Sequence, residues 1–154
     1  MIYSIVAYGH PVLKKQAQDI EKDKIDVMEL AEEMFETMYN AEGIGLAAPQ
    51  IGKSLRMFIA DASPLEDEEI VDWKQVFVNP EIIEEDGDDW TFEEGCLSIP
   101  GIREDVIRPE EVNIHYFDEN WDEHTKVFTG MKARIIQHEY DHIEGILFTD
   151  HLSP

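Results

Sequence analysis

Met131-Lys132-Ala133-Arg134-Ile135-Ile136-Gln137-His138-Glu139-Tyr140-Asp141-His142-Ile143 is the stretch from which the rest of the chain is read. It predicts a helix in which His138 and His142 lie one turn apart on one face. Both imidazoles can then reach a single cation. Met131 and Ile135 continue that face, and Ala133, Ile136, Tyr140 and Ile143 form a second apolar side. A helix apolar on two sides is expected to be largely buried, which would hold ligands rigidly.

The core of this stretch is H-E-x-x-H, a helical histidine pair with a glutamate placed to act as a base. Two core histidines with a surface glutamate between them are the competing reading; the spacing and the intervening Glu favour the metal. A catalytic site needs a third protein ligand and one open position. A third histidine in the pattern His-x-x-Gly-x-x-His fails, because Gly145 fits but Phe148 stands where histidine is required. A downstream glutamate has little chain left to come from. The remaining candidate is Cys96, in the small-residue turn Glu94-Gly95-Cys96-Leu97-Ser98-Ile99-Pro100-Gly101. A thiolate is a strong ligand, and a divalent cation deprotonates it outright.

Upstream, Ile25 to Glu42 predicts an amphipathic helix, with Val27, Ala31, Met34, Phe35 and Met38 on the core side. Asp23 is the expected cap and Gly43 the expected stop. Strand signals come next, at Leu55–Ala60, Val76–Val78, Ile102–Ile107 and Val112–Phe117. Two helices around short, mostly antiparallel strands predict an α+β fold in one domain, residues 1–154.

Composition narrows the function. The chain has 154 residues, 43% of them hydrophobic, which is enough for one core. No apolar run is long enough to cross a membrane, and the first residues do not form a signal peptide. One cysteine excludes an internal disulfide and points to a reducing, cytoplasmic location. A net charge of −23, from 35 acids and 12 bases, argues against direct nucleic-acid binding. The runs Glu66-Asp67-Glu68-Glu69 and Glu84-Glu85-Asp86-Gly87-Asp88-Asp89 are expected to be solvated loops. Gly43-Ile44-Gly45-Leu46-Ala47-Ala48 imitates a dinucleotide fingerprint, and Asp61 its ribose-binding acid. The fingerprint should come after a strand and open a helix, whereas here a helix precedes it.

Three segments together resemble the peptide deformylases: Gly43-Ile44-Gly45-Leu46-Ala47-Ala48-Pro49-Gln50, Glu94-Gly95-Cys96-Leu97-Ser98 and Gln137-His138-Glu139-Tyr140-Asp141-His142. His10-Pro11-Val12-Leu13 and Gly145-Ile146-Leu147-Phe148 extend the resemblance over nearly the whole chain. It implies a metal-dependent hydrolase that removes the formyl group from the N-terminal formyl-methionine of nascent chains. It implies that Cys96, His138 and His142 hold one divalent ion, iron(II) natively, with zinc, nickel or cobalt able to replace it. It implies that Glu139 is the general base, and that the Gln50 side chain and the Leu97 N–H stabilise the oxyanion. The methionine pocket is expected to include Ile44, Phe92, Glu94, Met131, Arg134, Ile135 and His138, with simple core packing the equal alternative for Met131 and Ile135. The Gly43–Gly45 strand edge is expected to pair with the substrate backbone, and Arg103 either steers the peptide or pairs with a local acid. Gln137 is expected to support the ligands. Asp141 either does the same or forms an ordinary ion pair with Arg103 or Arg108. His10, His115, His124 and His151 are read as non-ligands. Many family members continue into a basic C-terminal helix that aids ribosome docking. The chain ends at Pro154 without such a tail, so transient ribosome proximity is the most that is expected, and a monomer is expected.

Overall fold

The structure is a computed structural model describing residues 2–7, 9–65 and 72–146, with the backbone alone at 100 and 101. Its main elements are helix α1 (Val27–Asn40), strands β1 (Gly45–Ala47), β2 (Met57–Asp61), β3 (Lys74–Cys96), β4 (Ile99–Phe117) and β5 (Glu123–Thr129), and helix α2 (Gly130–Ile143). The strands form one antiparallel sheet in the order β1-β2-β3-β4-β5, so the architecture is α+β. Among the described residues no helix is long and apolar enough to cross a membrane.

β2 organises the core. Every residue of Met57-Phe58-Ile59-Ala60-Asp61 is buried, because both faces of the strand are covered. Successive side chains point to opposite faces. Met57 and Ile59 meet the α1 side, with Leu30, Met34 and Met38. Phe58 meets the α2 side, with Ala133, Ile136 and Phe77. Covering both faces turns a normally alternating pattern into a continuous apolar run. Each large side chain buried this way stabilises the fold by about 1.5–3 kcal/mol.

The expected stripe of α1 is buried as read, and Leu30 and Thr37 join it. Its ends differ from expectation. Asp26, not Asp23, caps the helix by accepting from the Glu29 N–H at 3.0 Å. The left-handed residue after the helix is Glu42 (φ +60°), not Gly43; the Gly43 N–H returns to Met38 O at 3.0 Å.

The largest departure concerns β3 and β4. The segments at 102–107 and 112–117 belong to one strand, and Val76–Val78 is part of a 23-residue strand. The acidic run 84–89 is strand rather than loop, paired across from Val112, Glu111 and Pro109. Breaks in register between Val78 and Glu81 and between Asp86 and Asp89 bend the hairpin. Exposed strand residues can carry charge, so composition alone misleads there. Glu66-Asp67-Glu68-Glu69, Phe148 and His151 lie outside the described residues.

α2 ends in a Schellman turn: the Ile146 N–H donates to Asp141 O at 2.8 Å and the Gly145 N–H to His142 O at 3.3 Å. Gly145 has φ +77°, and a Cβ there would stand 2.7 Å from Lys14 O. Gly52 also has positive φ, +82°, but open space around it. Gly145→Ala therefore combines strain with a backbone clash and should cost about 2 kcal/mol or more, against about 1 kcal/mol for Gly52→Ala. Urea midpoints of the two variants check the order.

A buried ion cluster ties the hairpin to α2. Arg108 of β4 grips Glu94 of β3 at 2.7 and 2.9 Å and reaches Asp141 of α2 at 2.9 Å. Arg134 of α2 also donates to Glu94. Burial opposes charge on Glu94, but hydrogen bonds from His138 and Arg108 and the Arg108 charge more than offset it, holding the carboxyl well below its ordinary value of 4.5. A carboxyl depressed by folding stabilises the fold above its unfolded pKa, and that stability is lost as pH falls toward the folded value. Glu94→Gln should thus be less stable than wild type near neutral pH and show a flatter loss of stability on acidification below 4.5, in urea titrations at several pH values.

Candidate metal centre and active site

α2 presents its two histidines where the helix is most enclosed: His138 is 9% and His142 1% exposed. Their rings stand 5.2 Å apart between centroids. Cys96 ends β3, where the register breaks between Gly95 and Cys96 before the turn into β4. That break brings its Sγ to 3.3 Å from His142 Nε2. The ligand atoms of Cys96, His138 and His142 all lie within 4.8 Å of one another, and form a metal-binding group of side chains.

The donor set fits a divalent cation. Sulfur at about 2.3 Å and nitrogen at about 2.1 Å from a tetrahedral ion would stand about 3.6 Å apart, close to the separation seen. Glu94 Oε1 lies 2.8 Å from His138 Nδ1. A charged carboxylate only accepts, so that bond places the ring proton on Nδ1 and leaves Nε2 as the ligand atom. Burial opposes positive charge on His138, yet Glu139, Cys96 and Glu94 raise its pKa to about 10. Burial, His138 and Arg108 push His142 well below the ordinary histidine value. The pocket thus favours one added positive charge but not a second protonated imidazole, and a cation shared by these ligands supplies it.

Around this centre stand the other chemically able groups. Burial raises the Glu139 carboxyl to about 7, against the pull of His138. Its Oε2 is 3.9 Å from His138 Nε2, and its Oε1 is buried without a hydrogen-bond partner among the described residues. Gly45 explains how the carboxylate fits: a Cβ there would stand 2.6 Å from Glu139 Oε2. Gln50 comes after β1 on a short 3-10 turn, Ala48–Ile51, rather than on a helix. Its Oε1 accepts from the Ala47 N–H at 2.9 Å, which orients the amide. Nε2 then points at Cys96 Sγ (3.4 Å) and Ser98 Oγ (3.3 Å).

A cavity of about 390 Å³ opens over these groups. Ile44, Gly45, Gln50, Phe92, Glu94, Cys96, Leu97, Arg103, Met131, Arg134, Ile135, His138 and Glu139 all line it. Met131, Ile135 and Ile44 also pack into a core cluster with Ala60 and Ala62, so lining and packing coexist. Among the described residues β1 pairs in the sheet with β2 alone, which leaves its other edge without a strand partner. Arg103 is exposed and paired with Glu93 at 2.9 Å. Asp141 pairs with Arg108, not Arg103. Gln137 does not reach the ligands; its amide donates to Pro109 O and Ala133 O. His10 caps a turn, and His115 and His124 pair with Glu123 and Asp118. Sequence reasoning missed Arg108 as a buried centre of the site, and Ser98, Pro64 and Leu65 beside it. Ser98 stood inside a quoted motif; Arg108 carried no local signal, because only strand register sets it opposite Trp90 and beside Glu94.

The chain is similar to known proteins over its length. The family description "Polypeptide deformylase" matches residues 2–154. The peptide deformylase of Cytophaga hutchinsonii is 62% identical over 153 residues, covering 99% of this chain and 83% of that one. The crystal structure of the Thermotoga maritima peptide deformylase superposes with a TM-score of 0.90 at 36% identity, covering 100% of this chain and 99% of that one. An Acinetobacter baumannii peptide deformylase, crystallised with Met-Ala-Ser, gives 0.90 at 34% identity over 99% of each chain. With its fold and motifs matched across nearly every residue, the chain belongs to the polypeptide deformylase family of enzymes.

Proposed function

We propose that the chain hydrolyses the N-formyl group of formyl-methionyl peptides with one divalent metal, releasing formate and a free amine. The observation that carries this is the convergence of Cys96, His138 and His142 within 4.8 Å, beneath a cavity lined by Glu139 and Gln50. A cation bound there supplies a Lewis acid and a water acidic enough to ionise near neutral pH. The thiolate and two neutral imidazoles leave about one net positive charge at the centre.

The protein's own groups do the rest. Glu139, with its pKa raised to about 7, accepts the proton of the attacking water and passes it to the leaving nitrogen. As water adds to the formyl carbon, charge builds on the formyl oxygen. The Gln50 amide, fixed by Ala47, and the Leu97 N–H donate to that oxygen. Glu94 keeps His138 in the ligating tautomer. The methionine side chain sits among Ile44, Phe92, Met131 and Ile135, with the buried Glu94–Arg134 pair behind them. The peptide backbone pairs along the Gly45 edge of β1, and Arg103 stands at the rim. Support for a peptide substrate is the Met-Ala-Ser complex of the A. baumannii relative. Iron(II) is the proposed native metal, with zinc, nickel or cobalt as substitutes, and the thiolate makes the iron form sensitive to air. The proposed setting is the cytoplasm, as a monomer meeting nascent chains transiently near the ribosome.

Formyl-Met-Ala-Ser should release formate while acetyl-Met-Ala-Ser stays intact; cleavage of an internal peptide bond instead would point to another hydrolase. Cys96→Ala should lose metal, measured by elemental analysis after dialysis; unchanged stoichiometry and affinity would remove Cys96 from the ligand set. Glu139→Gln should keep its metal and lose turnover by about 10²-fold or more, and Gln50→Ala should lower kcat by about 10²–10³-fold. Formate assays on metal-matched samples check both.

A further inference from the structure

A second polar cluster shapes the same cavity without belonging to the metal centre. Asp61 ends β2 and is 8% exposed. Its Oδ2 accepts from Tyr39 Oη at 2.5 Å. Its Oδ1 accepts from the Ser63 N–H at 2.9 Å and from Ser63 Oγ at 2.6 Å. Its own N–H donates to Ile44 O at 2.9 Å. Asp61 therefore joins four places: its carboxylate ties the last turn of α1 to the 3-10 turn Ser63–Leu65, and its backbone N–H ties the end of β2 to the cavity-lining residue Ile44.

The cluster is built to stay charged and rigid. Burial opposes ionisation of Asp61, but hydrogen bonds from Ser63 and Tyr39 and the nearby Lys74 charge more than offset it and lower its pKa. Burial and Asp61 push Tyr39 up to about 12, so it remains a donor. Lys74 pairs across from Asp61 in the sheet and lies over the Phe35 ring at 4.4 Å and the Tyr39 ring at 5.9 Å. Hydrogen bonds to a charged acceptor are about twice as strong as neutral ones, so the short turn is held firmly for its length.

What the turn carries is the rim of the cavity. Pro64 and Leu65 line it, next to Ser63. Leu65 is 37% exposed, whereas Ile135, deeper in the same cavity, is 4% exposed. The rim is therefore placed to meet the downstream part of a bound peptide, and Ile135 to meet the methionine itself. This inference rests on the deformylase reading above, in which a peptide leaves the cavity past its mouth. We propose that Asp61, clamped by Tyr39 and Ser63, is a positioning residue that sets the apolar Pro64–Leu65 rim against the residues after the methionine, and so governs affinity for the downstream peptide but not the chemical step.

The test uses the full metal-loaded chain and two probes, Met-Ala-Ser and methionine amide, with dissociation constants from calorimetry. Ser63→Ala and Tyr39→Phe should each weaken Met-Ala-Ser by about 3–10-fold, the loss expected for one hydrogen bond. Methionine amide should change by less than about twofold. KM for formyl-Met-Ala-Ser should rise by the same factor with kcat unchanged, and Ser63→Thr should restore wild-type binding. Equal weakening of both probes, no weakening of either, or a fall in kcat at constant KM would overturn the proposal. Binding is read without turnover, so a wild type that binds Met-Ala-Ser yet releases no formate from formyl-Met-Ala-Ser would count against the deformylase reading alone, and the ratio of the two dissociation constants would still decide the rim.

Discussion

A buried glutamate, Glu94, holds the molecule's two working parts together. It receives hydrogen bonds from Arg108 of β4, Arg134 of α2 and the His138 ring. A carboxylate removed from water costs several kcal/mol unless charge and hydrogen bonds replace its hydration. Here two guanidinium groups and an imidazole replace it, so the carboxylate can exist only where hairpin and helix meet in one arrangement. The same contact that joins β3 to α2 also orients a metal-ligating ring. Stability and site geometry are consequently one constraint, not two.

The layers around β2 make that constraint effective. α1 seals one face of the sheet with Leu30, Met34 and Met38, and α2 seals the other with Ala133 and Ile136. Packed on both sides, β2 cannot slip by one residue without exchanging Met57 and Ile59 for Phe58 and Ala60. β1 is registered on β2, with Gly45 opposite Ala60 and Ala47 opposite Phe58. That register sets the places of Gly45, Gln50 and the Ile44 carbonyl. Gly45 also lets the Glu139 carboxylate approach the backbone, a closeness no larger residue permits without displacing it. The cavity's chemistry is thus set by how one short buried strand is gripped.

Charge is divided unevenly over this frame. The chain carries −23 overall, yet its buried centre gathers two arginines around Glu94. The surface acids of β3 are exposed strand residues, and reading them as loop relied on composition where pairing decided. A polar exposed face and a solvated loop look alike in one dimension, since neither needs an apolar partner.

Local periodicity made much of this protein legible in its sequence. The spacing of His138 and His142 places two imidazoles on one helix face, and the stripe from Val27 to Met38 defines a buried helix side, because helical neighbours are close in sequence. The strand signal at Leu55–Ala60 marked β2, because alternate residues of a strand are also close in sequence. What only the tertiary structure decided is which distant residues share that neighbourhood. Cys96 meets His142 across 46 positions, Arg108 and Arg134 converge on Glu94, and Asp61 clasps Tyr39 and Ser63. Those meetings depend on strand register, on bends in a long hairpin and on the seating of α2, none of which leaves a local period to read. A one-residue shift in pairing would turn a strand residue such as Arg108 or Asp61 to the opposite face while leaving every local motif intact.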